Sequence, residues 1–458
     1  MLSTVLLTII VLSAAGYVYG RRRAVAKGGH SRHLHSLPGY YGAYVAAWIA
    51  IPSLLITFIW LFLQDSVINH LLLATLAPER VEGLSSSEID LLLTEIQQVA
   101  AGNIFGEPEP HIERAAQTYS RWQDLAEVAM LVAALSIGLI GLLITRWRIT
   151  PEFRARQAFE RVVTGVIVVC SIIAILTTLG IVLSLGFEAW RFFLRVDPVQ
   201  FLTSLRWEPQ IPLRSDQVTA GGQFGVIPVL TGTLLIAGIA LLVAVPIGLA
   251  SAIYLAEYAN KRFRAITKPV IEILSGVPTV VYGFFAVLVV APAMREFGLL
   301  VGLDIAPNSA LAAGSVLGIM IIPFISSLSD DALAAVPQSL RDGAYAMGAT
   351  RGETITGVLI PAALPGIVGG ILLAASRAIG ETMIVVMAAG IIARLTLNPL
   401  EPVTTVTVQI VTLLIGDTEF DNPKTLAAFA LGLVLFLATL ALNVIALRVV
   451  QKYREKYE

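Results

Sequence analysis

Charge is what this chain has least of. Of its 458 residues only 14% are Asp, Glu, Lys or Arg, against 56% hydrophobic, whereas a soluble domain carries about a quarter charged residues. A soluble globular fold is excluded, because several apolar runs reach the ~20 residues that cross a bilayer as a helix. Cysteine is almost missing. The single Cys170 rules out an intrachain disulfide, and its apolar helical setting makes it a packing residue, not a redox centre. No GxxxxGK[ST], HExxH or GxSxG stretch occurs, so the chain has no recognisable means of hydrolysing ATP itself. His30, His33 and His35 in HSRHLH have basic neighbours and no carboxylate or cysteine nearby, which reads as a solvated juxtamembrane segment instead of a metal site. The net charge of −1 gives no footprint for nucleic acid, because the charges are sorted by loop.

What is present is an all-α, polytopic membrane pattern with nine apolar spans, at about 2–19, 40–63, 125–145, 162–186, 226–256, 269–292, 305–327, 364–392 and 425–448. The basic segments RRRAVAKGGHSRH, RWRITPEFRARQAFER, NKRFRAITK and the tail QKYREKYE all fall on one side if the N-terminus is outside and the C-terminus cytoplasmic. The first run is read as an anchor, since RRR follows it and no basic segment precedes it. The chain divides into an N-terminal three-span block, 1–145, a basic cytoplasmic linker, 146–161, and a six-span block, 162–458. Within the first block, 64–124 is an extracytoplasmic piece. There SSSEIDLLLTEIQQVA predicts an amphipathic helix capped by Ser86 or Ser87, with Glu88 and Asp90 in its first turn.

The inside segment 330–367 is too polar in its middle to span and too regular for a linker. SLRDGAYAM predicts a short helix ending at Gly348; TRGETITGVLI predicts a second, with Thr350 and Glu353 as a capping box and Pro361 as its stop. This elbow presents Ala344, Ala346 and Met347 either to a groove in a soluble partner or to lipid headgroups. The stretch DGAYAMGATRGETITGVLIPAALPGI resembles the coupling loop of ABC importer permeases. Asp342, Gly343 and Ala344 stand at its Glu-Ala-Ala, Gly348 at its glycine, Val358 and Ile360 at its apolar positions and Pro361 at its proline. Aspartate and the first glycine depart mildly from that pattern. SGVPTVVYGFFA (275–286) and SRAIGETMIVV (376–386) resemble the phosphate-specific (Pst-type) permeases, and ETM at 381–383 resembles the PstC subunit more than PstA. The resemblance covers about 160–455, a six-span core, and 1–145 resembles an extension of longer members.

Arg377 and Glu381 stand four apart in an otherwise apolar run. A charge at mid-span costs about 2.5–3.5 kcal/mol even on a lenient scale, while an i,i+4 pair recovers about 0.2–0.5 kcal/mol in water. The pair therefore makes little sense as a stability device. It makes sense facing a water-filled cleft, where a guanidinium fork matches a tetrahedral oxyanion and Glu381 holds or softens it. The other reading is a bridge that only fixes subunit assembly. The Pst resemblance implies phosphate transfer for both residues, with Ser376 and Thr382 beside them. Ser275, Thr279 and Tyr282, around Gly276 and Pro278, could lend hydroxyls to a passing ion or bond the backbone. Glu257 is read as snorkelling or pairing with Lys261.

The expectation is therefore a non-enzymatic permease subunit of an ATP-driven phosphate importer in the bacterial inner membrane, coupled through 330–361. The resemblance implies a homologous PstA-like permease, two ATP-binding subunits that hold ATP and Mg, and an extracytoplasmic phosphate-binding protein. The chain itself needs no cofactor. Rivals are an importer of another oxyanion (molybdate, sulfate or phosphonate), a phosphate-sensing signalling scaffold, and a proton-driven transporter. The last would show inverted repeats and unpaired membrane carboxylates, and neither is found.

Overall fold

The computed structural model describes residues 2–29, 34–76, 86–103, 109–209, 222–415 and 422–454. Among them, nine helices are long and apolar enough to cross a membrane, so the chain is a polytopic all-α membrane protein. Its internal contacts divide it into two units, Met1–Leu176 and Thr177–Glu458.

The first unit contains α1 (Leu2–Gly28), α2 (Pro38–Thr75), α3 (Ser86–Ala100), α4 (Pro110–Arg148) and the start of α5 (Ala155–Phe193). Pro38 and Pro110 open their helices, where a missing N–H costs nothing. α2 and α4 run to 38 and 39 residues, about 57 Å of helix against ~30 Å of hydrocarbon. The surplus explains the polar piece 64–124: Ile68 and Leu72 of α2, Leu93 and Ile96 of α3, and Ile112 and Tyr119 of α4 close into one buried cluster. α3 forms where expected but already includes Ser86, so neither Ser86 nor Ser87 is its N-cap; their side chains, like His30 and His33, lie outside the described residues. Elsewhere glycine brings the helices together. A Cβ on Gly141 would meet the Trp48 carbonyl oxygen, and one on Gly16 the Ile49 side chain, the small-residue contact that membrane helices use in place of a hydrophobic drive.

Two expectations change here. The stretch 146–161 is folded into the first unit: the Tyr41 hydroxyl donates to the Phe153 carbonyl at 2.9 Å and Lys27 Nζ to the Ile149 carbonyl at 3.0 Å. The boundary falls instead within α5. Cys170 is exposed on that helix, so it does not pack within this chain.

The second unit continues α5 and adds α6 (Pro198–Thr203), a two-strand ribbon of β1 (Trp207–Glu208) and β2 (Gln223–Phe224), and α7 (Ile227–Ile253). After α7 come a π turn at Tyr254–Tyr258, α8 (Lys261–Ser275), α9 (Thr279–Phe285), a second π turn at Ala286–Val290 and α10 (Ala291–Val301). They are followed by α11 (Ala310–Ala334), α12 (Gln338–Ala346), α13 (Arg351–Thr354), a third π turn at Ile355–Leu359, α14 (Ile360–Ile379), α15 (Met383–Ala388), α16 (Val406–Leu414) and α17 (Pro423–Arg454). α11 is the centre. It lies parallel to α7, with Gly314 against Ile236 and Ile239, Gly318 against Ala240 and Val243, and Gly248 of α7 against Ile325. α9, α14 and α15 add Tyr282, Ala374, Ala378, Ile384 and Val385 to the same core. The ribbon antiparallel-pairs Trp207 with Phe224, and the Trp207 indole N–H donates to Gln409 Oε1 of α16 at 2.8 Å.

Two expected spans are interrupted. The run 269–292 divides at Gly276–Pro278 into α8, which buries no residue of its own, and α9. The run 364–392 divides at 380–382, between α14 and α15.

Candidate functional site

The loop after α11 is built by local chemistry. α12 ends in a left-handed cap at Gly348, φ +85°, where the Gly348 N–H donates to the Tyr345 carbonyl and the Ala349 N–H to the Ala344 carbonyl. Thr350 then caps α13 through the expected capping box with Glu353. Pro361 does not stop the second helix. The π turn at Ile355–Leu359 precedes it, Pro361 occupies the first turn of α14, and the helix runs on to Ile379. The outward surface of the loop carries Leu340, Tyr345 and Met347, the last 89% exposed. Asp342, Gly343 and Ala346 are exposed and Ala344 half-buried; Val358, Ile360 and Pro361 are half-buried in the helix behind.

Glu257 does not pair with Lys261. It lies in the first π turn with only 9% of its side chain exposed, and Arg341 of α12 donates to it at 3.1 Å. An arginine fork arriving from a second element outcompetes a lysine four residues along the same chain.

Arg377 and Glu381 are not an i,i+4 helical pair either. α14 stops at Ile379, so Arg377 lies in its last turn while Glu381 stands in the break before α15. The Glu381 carboxylate accepts from the backbone N–H groups of Met383, at 3.0 Å, and Ile384, at 3.4 Å. Its carbonyl accepts from the Thr407 hydroxyl at 2.9 Å. Arg377 stacks instead on Phe324, 4.1 Å from guanidinium carbon to ring centroid, partway along α11. Among the described residues no carboxylate lies within 4.0 Å of it, and it is exposed. Each charge thus sits at the helix end whose dipole favours it, cation at a C-terminus and anion at an N-terminus.

The hydroxyls expected near the path are partly spoken for. Tyr282 donates to the Leu274 carbonyl at 2.7 Å, bridging the break at Gly276–Pro278, and Ser275 donates to the Glu272 carbonyl at 2.7 Å. Thr382 reaches the Gly380 carbonyl at 3.5 Å. Thr279 and Ser376 are half-buried. The helices that follow the two breaks are packed together: a Cβ on Gly283 of α9 would meet Met387 and the Met383 carbonyl of α15.

Sequence reasoning missed Asp330. Its carboxylate is buried at the end of α11 and accepts from Arg264 at 2.9 Å and Lys268 at 2.7 Å, while Asp331 accepts from Lys268 at 3.1 Å. These bonds fasten α8 to α11, and the Asp330 bond to Lys268 holds its ammonium above the ordinary lysine range. Asp330 next to Asp331 at the end of an apolar span, facing cations spaced four apart, was the available signal. Phe324, Ser327 and Asp331 share one face of α11, carrying in turn the Arg377 stack, a 3.4 Å Ser327–Glu272 bond and the Lys268 pair.

Two family models match the chain. One, described as phosphate ATP-binding cassette transporter, matches residues 6–177, up to the boundary between the two units; the other, described as binding-protein-dependent transport system inner membrane component, matches 244–455. The chain is 36% identical over 290 residues to the probable ABC transporter permease protein YqgH of Bacillus subtilis, spanning 63% of this chain and 90% of that protein. Over 285 residues it is 34% identical to the phosphate transport system permease protein PstC of Mesorhizobium japonicum (58% and 82%), and over 294 residues 32% identical to PstC of Haemophilus influenzae (60% and 88%). The class defined by these spans and matches is a transporter permease subunit, not an enzyme. The chain belongs to the ABC transporter permease family, and within it to the Pst type as a PstC-like subunit.

Proposed function

We propose that this chain forms one half of the translocation path of an ATP-driven importer of inorganic phosphate, with a homologous PstA-like permease forming the other. Two ATP-binding subunits, holding ATP and Mg, dock on the outward surface of α12 and Gly348, and an extracytoplasmic binding protein delivers phosphate. The N-terminus is outside and the C-terminus cytoplasmic, which puts the basic segments and α12 on the inner side.

The observation that carries this reading is Arg377: an exposed guanidinium laid on an aromatic face, with no carboxylate beside it among the described residues. Its charge is permanent, and its planar donors match two oxygens of a tetrahedral anion. Stacking on Phe324 fixes the plane and leaves the N–H edge open. Exposure keeps the site weak enough for the ion to leave. Glu381, committed to two amides of α15, holds the break open and places a negative charge beyond Arg377 that discourages a phosphate from staying. Ser376, Thr382 and Thr279 border the same breaks and supply secondary donors, while Ser275 and Tyr282 brace the backbone there. ATP-driven closure of the partner subunits moves α12 and switches access to the path.

The test is ATP-driven uptake of labelled phosphate into vesicles carrying the complete complex. Arg377→Gln abolishes uptake while the ATP-binding subunits stay bound in a pull-down. Unchanged uptake would reduce Arg377 to a packing residue, and uptake of sulfate or molybdate in place of phosphate would reassign the ion.

A further inference from the structure

Among the described residues, α12 is hydrogen-bonded to other elements through one side chain. It buries no residue of its own, and among the described residues every side-chain hydrogen bond from α12 to another element is made by Arg341. Nη2 donates to the Leu333 carbonyl at 2.8 Å and to Glu257 Oε1 at 3.1 Å; Nη1 donates to the Val336 carbonyl at 3.0 Å. The two carbonyls belong to the end of α11 and the turn leading into α12 itself. Glu257 belongs to a different span.

Both members of the Arg341–Glu257 pair are largely sequestered, with 14% and 9% of their side chains exposed. A pair in that setting is costly to part, because each charge would be left short of water. Glu257 lies in the π turn at Tyr254–Tyr258, the widened end of α7. Three residues after Glu257, Asn260 caps α8 by accepting from the Phe263 N–H at 2.7 Å. α8 leads into the Gly276–Pro278 break and α9, which packs on α15 beyond Glu381. A continuous chain of named contacts therefore runs from α12 to both helix breaks, and its first joint is Arg341 on Glu257.

We propose that Arg341 and Glu257 are positioning residues that transmit displacement of α12 to the α7–α8 corner and so couple ATP use to transport. This inference rests on the reading of α12 as the docking site for the ATP-binding subunits. Arg341 has two separable tasks. Its carbonyl bonds fold the loop, and its bond to Glu257 transmits. Removing Glu257 spares the first and cuts the second.

The experiment uses the full complex in vesicles, with phosphate uptake and ATP hydrolysis measured on the same preparation. In Glu257→Ala the ATP-binding subunits remain bound and hydrolysis persists, while phosphate moved per ATP falls about tenfold, the scale of a typical coupling energy. Glu257→Asp, which keeps the carboxylate, recovers part of the ratio. Wild-type phosphate per ATP in Glu257→Ala overturns the inference, as does a parallel loss of hydrolysis and subunit binding, which would mark a purely structural role. Met347→Asp on the outward surface tests the underlying reading separately. It releases the ATP-binding subunits if α12 is the docking site, and their retention would refute docking there whatever Glu257→Ala does.

Discussion

Replacing Asp330 by Asn is the perturbation whose size the structure fixes best. The carboxylate has 2% of its side chain exposed and accepts two 2.9 Å bonds from Arg264 and one of 2.7 Å from Lys268. α8 buries no residue of its own, so these bonds are its strongest tie to α11. An asparagine keeps one acceptor oxygen and turns an N–H group toward two cations. Hydrogen bonds to charged groups contribute about 1.5–3 kcal/mol each. Arg264 and Lys268 are 35% and 29% exposed, so water recovers part of any loss and the lower end applies. Losing one to two bonds leaves α8 about 1.5–3 kcal/mol less firmly held, which is about 10- to 150-fold in the population of the detached state. Hydrogen–deuterium exchange of the complex in nanodiscs reads this directly, as faster exchange over 261–275 with α7 and α11 unchanged. Acceleration of less than about threefold would refute the claim that the ion pairs, and not the apolar contacts, hold α8. The sign of any pH effect follows from Lys268. Its raised pKa means that its contribution is fully present below the ordinary lysine value and is lost only as pH climbs through the raised one. Protection of α8 therefore does not fall on going from neutral to mildly alkaline pH.

Gly348→Ala forces a side chain into φ +85°, at a cost of about 1–2 kcal/mol; a Cβ there meets nothing within 4 Å, so the penalty is purely conformational. Affinity for the ATP-binding subunits, measured by titration, weakens about five- to thirtyfold, and Gly348→Asn, which tolerates that conformation, loses less. Tyr282→Phe removes a structural bond to the Leu274 carbonyl and lowers thermal stability of the purified subunit by about 1 kcal/mol. The phosphate concentration for half-maximal uptake stays at the wild-type value, and a rise would place the hydroxyl on the ion instead.

Sequence carried the features that depend on nearby residues. Nine spans follow from apolar runs; the cap at Gly348 and the Thr350–Glu353 box follow from backbone chemistry within a few positions. The run 376–386 looked like one helix because nothing in it forbids one: Gly380 is tolerated in helices, and Arg377 and Glu381 have helical spacing. The break is fixed by Glu381 turning back on the amides of Met383 and Ile384 and by Thr407, 26 residues on, holding its carbonyl. Glu257 and Asp330 found partners 84 and 66 residues away, beyond the reach of any local pattern. Lys261 is only the nearest cation to Glu257 along the chain. The direction of Arg377 was equally unreadable, since a helix apolar on every face has no preferred side.

With those partners known, the scarcity of charge becomes an argument about function. In the second unit the sequestered charges are answered by protein: Asp330 by two cations, Glu257 by Arg341, and the Glu381 carboxylate by two backbone N–H groups. A chain able to satisfy those groups could have set a carboxylate beside Arg377 as well, and Glu381 is close enough in sequence to have served. It is turned away instead, and Arg377 is given an aromatic face, which orients a guanidinium without neutralising it. A bare cation inside a span costs about 2.5–3.5 kcal/mol, and a negative group that visits it, as the proposed phosphate would, offsets that cost. The arrangement suits the proposed passage of an anion, with the charge left open at Arg377 and closed where the helices hold.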